Sequence, residues 1–142
     1  MSRYLSNSAL LTEDYGRSLA PKIPAGGVVA LHGPLGSGKT VLARGLIKGL
    51  GYSGPVSSPT YTIVHEYPAG QDGMSVNTAH FDLYRVTGEA DLESTGFYDY
   101  LNGGWTLILE WCDSIPWAVE PSFVHVYIER TREDNVRIIR ME

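Results

Sequence analysis

Residues 33–40 read Gly33-Pro34-Leu35-Gly36-Ser37-Gly38-Lys39-Thr40, a complete G-x-x-x-x-G-K-[ST] pattern. Each fixed position has a physical task. The glycines let backbone N–H groups wrap an anion, the lysine ammonium neutralises the outer phosphate oxygens, and the threonine hydroxyl can ligate magnesium. The pattern has this meaning only between a buried strand and a helix, and its flanks supply both. Val28, Val29, Ala30 and Leu31 form a short apolar run after the Gly26-Gly27 turn, as a buried strand does. Val41, Leu42, Leu46, Ile47 and Leu50 recur at helical spacing over residues 38–50, and Gly49 with Gly51 suits the helix end. Strand, glycine loop and helix in that order predict a nucleotide site lined by residues 33–41, Val41 included, with ATP and Mg2+ as its ligands.

Outward from the loop, residues 8–20 carry Leu10, Leu11, Tyr15, Leu19 and Ala20 at helical spacing, and Pro21 closes the run. Residues 60–67 and 74–83 read as strands of an antiparallel hairpin around Gln71-Asp72-Gly73. Residues 89–101 read as helix, and Thr106 to Leu109 as a second buried strand ending at Glu110. Residues 123–129 and 136–141 flank the polar turn 131–135 as a final hairpin. The sum is an α/β fold, a P-loop NTPase domain with a mixed β-sheet flanked by helices, and residues 1–142 are expected to form one domain.

Composition narrows the function. The 142 residues are 43% hydrophobic and 19% charged, which suits a packed globular chain. A net charge of -5 argues against a surface that grips nucleic acid through many phosphates, so any role in RNA metabolism is expected to run through protein partners. Arg130, Arg132, Arg137 and Arg140 crowd the C-terminal end and read as a solvated strand face. Cys112 is the only cysteine, which excludes an internal disulfide and fits a reducing cytoplasm. No apolar run is long enough to span a membrane, and the start lacks the regions of a signal peptide.

A phosphate loop needs further acidic groups to hold its magnesium, and strand ends are where they are expected. Glu110 follows Leu107-Ile108-Leu109, and Asp82 follows His80-Phe81; both are expected to contribute. In GTPases a threonine in a turn after the loop helix closes on the γ-phosphate, which makes Thr60 in Ser57-Ser58-Pro59-Thr60-Tyr61 a candidate against an ordinary proline-nucleated loop. Trp111 can stack on a nucleotide or belong to the core. His32, His65, His80 and His125 lack the paired spacing of a metal site and read as structural, and Cys112 reads as a packing residue.

These stretches resemble one family, the bacterial TsaE (YjeE) proteins. The resemblance covers nearly the whole chain: Thr12 and Gly16 in the leading helix, LHGPLGSGKT, SSPTYTIVHEY, HFDLYR, the helix from Glu89 to Gly96, and LILEW. It implies an ATP-hydrolysing subunit for threonylcarbamoylation of the tRNA adenosine at position 37, acting with TsaB and TsaD and slow alone. It also implies that Lys39 and Thr40 hold nucleotide and magnesium, Thr60 acts as a switch, Asp82 and Glu110 form an acidic pair required for activity, and Trp111 lies beside the nucleotide. Pro34 departs from the aspartate usual in the family. Two other readings stand beside this one. A small metabolite or nucleoside kinase would need an arginine-bearing lid, and none precedes Glu110; a guanine-nucleotide switch would need an N-K-x-D motif, and none occurs.

Overall fold

The computed structural model describes residues 2–60 and 62–142, so Tyr61 of the turn-forming segment lies outside the described residues. Among the described residues no helix is long and apolar enough to cross a membrane. Seven strands form one sheet: β1 (Ser2–Ser6), β2 (Val28–His32), β3 (Val64–Tyr67), β4 (Thr78–Asp82), β5 (Thr106–Glu110), β6 (Val124–Arg130) and β7 (Arg137–Met141). Their order is β1-β7-β6-β2-β5-β4-β3. The four central strands run parallel, and antiparallel strands close both flanks. The expected mixed sheet is therefore present.

Alternation along the central strands builds two cores. Val29 and Leu31 of β2, with Ile108 of β5, face one side; Val28 and Ala30 of β2, with Leu107 and Leu109 of β5, face the other. The first side is covered by α1 (Ala9–Leu19) and α2 (Lys39–Gly49), the second by α3 (Glu89–Ser94) and α4 (Phe97–Asn102). Ser8 caps α1 by accepting from the Leu11 N–H at 3.1 Å.

The two helices on the first side nearly touch. A Cβ added at Gly45 of α2 would stand 2.0 Å from the Glu13 carbonyl oxygen of α1, and one at Gly16 would stand 2.3 Å from the Leu42 carbonyl oxygen. Gly45→Ala must push α1 away from the core, at about 2 kcal/mol by the usual cost of overpacking. Its urea midpoint is expected to fall with little change in slope, and an unchanged midpoint would mean that the helices are free to separate.

Two expectations need correction, and one strand is new. The run 89–101 is two helices, because Gly96 takes a left-handed φ of 83° between them. The strands expected over 60–67 and 74–83 are shorter, β3 and β4 being 4 and 5 residues long, although they pair antiparallel as expected. The N-terminal strand β1, unforeseen, adds an edge to β7. Just before β3, Ile63 sits at φ 71°, a left-handed conformation rare for a β-branched residue. Its N–H donates to the Pro59 carbonyl at 2.8 Å, and its carbonyl accepts from the Asp82 N–H at 2.8 Å.

Candidate active site

The glycine loop leaves the carboxyl end of β2 and enters α2 through Gly38. Gly36 and Gly38 stand at φ 75° and 109°, where a side chain would be strained, so their identity is a condition of the loop's shape. At the departure, the Pro34 carbonyl accepts from the Ser37 N–H at 3.1 Å and closes a turn within the loop. From the far end of the chain, Arg137 donates from Nε to the Ser37 carbonyl at 3.0 Å and from Nη2 to the Gly36 carbonyl at 3.1 Å. With the Gly36 and Ser37 carbonyls so engaged, the loop is braced from β7, and the N–H groups not bonded within it can meet an anion. Arg137 is thus tied to the loop, whereas the sequence placed it on a solvated strand face.

Lys39 is the first residue of α2 and is almost wholly buried. Its ammonium donates to the Gly33 carbonyl and lies 3.3 Å from the centre of the Trp111 ring. Burial draws its pKa below the usual lysine value, while the nearby Glu110 carboxylate pulls it back up. A desolvated cation facing a glycine loop is a receptor for phosphate oxygens.

Strand alternation decides what meets this cation. Ala79 and Phe81 of β4 face the α3–α4 side, so His80 and Asp82 face α2, as Glu110 does on β5. The register sets Asp82 opposite Glu110 and His80 opposite Ile108. Thr40 Oγ1 donates to Glu110 Oε1 at 2.9 Å, and His80 Nε2–H donates to Glu110 Oε2 at 2.5 Å. All of Glu110, His80 and Asp82 are buried. Asp82 Oδ1 accepts from the Tyr84 N–H at 3.0 Å. Thr40, Glu110 and Asp82 fit magnesium: their donors are all oxygens, and 2.9 Å is about the spacing of neighbouring oxygens around an octahedral ion with bonds near 2.05 Å.

The residues 35–41, Glu110 and Trp111 border a cavity of 310 Å³. Across the loop a second cavity of 220 Å³ is bounded by Ser8, Thr12, Gly38, Val41, Asn135 and Arg137. Trp111 holds a φ of 61° and packs edge-on against Tyr84 at 5.0 Å. Thr60 does not border either cavity; it is exposed, and its hydroxyl lies 2.6 Å from that of Ser58 in its own turn. Two residues that shape the site, His80 and Arg137, were missed as such by the sequence reading. Only the even spacing of His80 and Asp82 before a strand end hinted at the first, and nothing local hinted at the second.

Fold and loop together define a P-loop NTPase domain. The chain matches the sequence model of the threonylcarbamoyl adenosine biosynthesis protein TsaE over residues 6–139, and it belongs to the TsaE family. It is 34% identical to the tRNA threonylcarbamoyladenosine biosynthesis protein TsaE of Mycobacterium leprae over 128 residues, covering 87% of this chain and 79% of that one. Similarity to the Haemophilus influenzae protein of the same name is 44% over 86 residues, 61% of this chain, and spans only 52% of the relative's length. A match to the Synechocystis protein of that name likewise spans 45% of the relative. The crystal structure of YdiB from Bacillus subtilis superposes with a TM-score of 0.75 at 26% identity, covering 99% of this chain and 84% of that one.

Proposed function

We propose that this chain is the ATP-hydrolysing subunit that serves threonylcarbamoylation of tRNA adenosine, acting on an assembly of TsaB and TsaD. Membership of the TsaE family supports the pathway. The observation that carries the chemistry is the 2.9 Å contact between Thr40 and Glu110 beneath the loop, beside the buried Lys39. Residues 33–38 and Lys39 take the phosphates, and the nucleoside extends past Val41 or beside Trp111 into the flanking cavities. Thr40, Glu110 and Asp82 are the residues that would hold Mg2+, which supplies positive charge to the phosphate oxygens. Glu110, held by His80, and Asp82 face the γ-phosphate end and orient the attacking water. Thr60 joins the site through movement of its loop.

The test is reconstitution with purified TsaB, TsaD, tRNA and ATP. ATP turnover is expected to be slow for the chain alone and faster in the assembly, with several modified tRNAs formed per complex. In the same samples, hydrogen exchange at residues 58–60 should slow with ATP and not with ADP. Modification that cycles equally well without this chain, or transfer of the γ-phosphate to a metabolite rather than water, would overturn the proposal.

A further inference from the structure

Beyond the phosphate site, the same strand ends gather a second set of side chains. β2 and β5 are parallel neighbours with Leu31 opposite Glu110, so the residue after Leu31 and the residues two and three past Glu110 emerge side by side. These are His32, Cys112 and Asp113. One donor atom from each lies within 4.8 Å of the others, and Cys112 Sγ is 3.8 Å from His32 Nδ1. The spacing in sequence conceals this cluster, because register across the sheet assembles it.

The hydrogen bonds behind it fix the histidine tautomers. His125 Nε2 faces the Glu120 carbonyl at 2.9 Å, and a carbonyl only accepts, so this nitrogen carries the proton. His125 Nδ1 is then the acceptor for His32 Nε2–H at 2.9 Å. His32 Nδ1 is left with its lone pair directed at Cys112. An imidazole whose far N–H is held by a neighbour while its near nitrogen offers a lone pair to a thiol is the arrangement a metal can enter by displacing the thiol proton. The His32 ring is steadied further by stacking on Tyr127, with centroids 4.6 Å apart.

We propose that His32 Nδ1, Cys112 Sγ and the Asp113 carboxylate form a binding site for a zinc-class divalent cation, separate from the magnesium site. Sulfur and imidazole nitrogen select Zn2+ over Mg2+, whereas the Thr40, Glu110 and Asp82 oxygens select the reverse. Tetrahedral bonds of about 2.3 Å to sulfur and 2.05 Å to nitrogen set those atoms about 3.6 Å apart, close to the 3.8 Å found here. Asp113 is exposed and free to close the third side, with water as the fourth ligand. The cation takes the place of the thiol proton, which passes to solvent. It would brace the end of β5, and with it Glu110 and Trp111, against the strand end from which the glycine loop begins.

The test is titration of the full chain with Co2+ in the absence of nucleotide, followed by optical absorption. One equivalent is expected to produce a thiolate-to-cobalt charge-transfer band and the strong visible bands of tetrahedral cobalt, all displaced by Zn2+. Cys112→Ser should abolish the charge-transfer band. Asp113→Asn, at an exposed position, and His32→Gln should each weaken Co2+ binding at least about tenfold with an unchanged circular dichroism spectrum. Glu110→Gln should titrate like the wild type. Absence of the thiolate band, indifference to Asp113→Asn and His32→Gln, or loss of binding in Glu110→Gln would overturn the assignment.

Discussion

Lys39→Ala is expected to weaken ATP binding about a hundredfold. The ammonium is a buried cation beside the glycine loop, and on the proposed function it would exchange its contact with the Gly33 carbonyl for contacts with phosphate oxygens. Two charge-assisted hydrogen bonds of about 1.5 kcal/mol each amount to about 3 kcal/mol, or roughly two decades in affinity. The alanine also removes the cation from the face of Trp111, so the indole fluorescence should change in the nucleotide-free protein. Titration of a fluorescent ATP analogue into both proteins measures the loss. Equal affinity would show that the loop backbone alone carries the phosphates and that Lys39 has no part in holding them.

Glu110→Gln is expected to separate binding from turnover. Glutamine keeps the volume of the side chain and an acceptor for His80 Nε2–H, and it removes only the charge. On the proposed function the loop N–H groups and Lys39 would supply most of the grip on bound nucleotide, whereas a carboxylate at the strand end would act on charge that develops during the reaction. ATP affinity should therefore stay within about threefold, while hydrolysis falls by at least about tenfold, the equivalent of about 1.4 kcal/mol. Asp82→Asn should behave in the same way, since the register sets Asp82 directly across from Glu110. Binding and multiple-turnover tRNA modification, measured on one set of proteins, decide the matter. Wild-type turnover in either variant would remove that carboxylate from the mechanism and leave the role to its neighbour.

Much of the fold was legible because its signals are local. The apolar run 28–31, the glycines of the loop and the helical stripe from Val41 to Leu50 each declare themselves within a few residues. β1 escaped notice because an edge strand of 5 residues needs no second apolar face, and its Leu5 is 65% exposed. The break at Gly96 was hidden by apolar spacing that continues through it, for periodicity does not register one left-handed residue. In the site, the motif exposed Lys39 and Thr40, and strand ends pointed to Asp82 and Glu110. The contributions of His80 and Arg137 depend on register: His80 reaches Glu110 across neighbouring strands, and Arg137 reaches Ser37 from 100 residues away. Pairing of that kind follows from tertiary structure, and local spacing carries at most a hint of it, as at His80 and Asp82, and none at Arg137.

The backbone at Ile63 is a strained link at the entry to β3. A β-branched residue held at φ 71° stores about 1 to 2 kcal/mol, and that energy is returned when the residue relaxes to an ordinary conformation. A single hydrogen bond to a charged phosphate is worth about 1.5 to 3 kcal/mol, and about 1.4 kcal/mol changes a population tenfold. The strain at Ile63 is therefore of the same size as one such contact. Because the Ile63 carbonyl also accepts from the Asp82 N–H, any change of backbone conformation at Ile63 would be felt at the strand end that carries one of the two carboxylates.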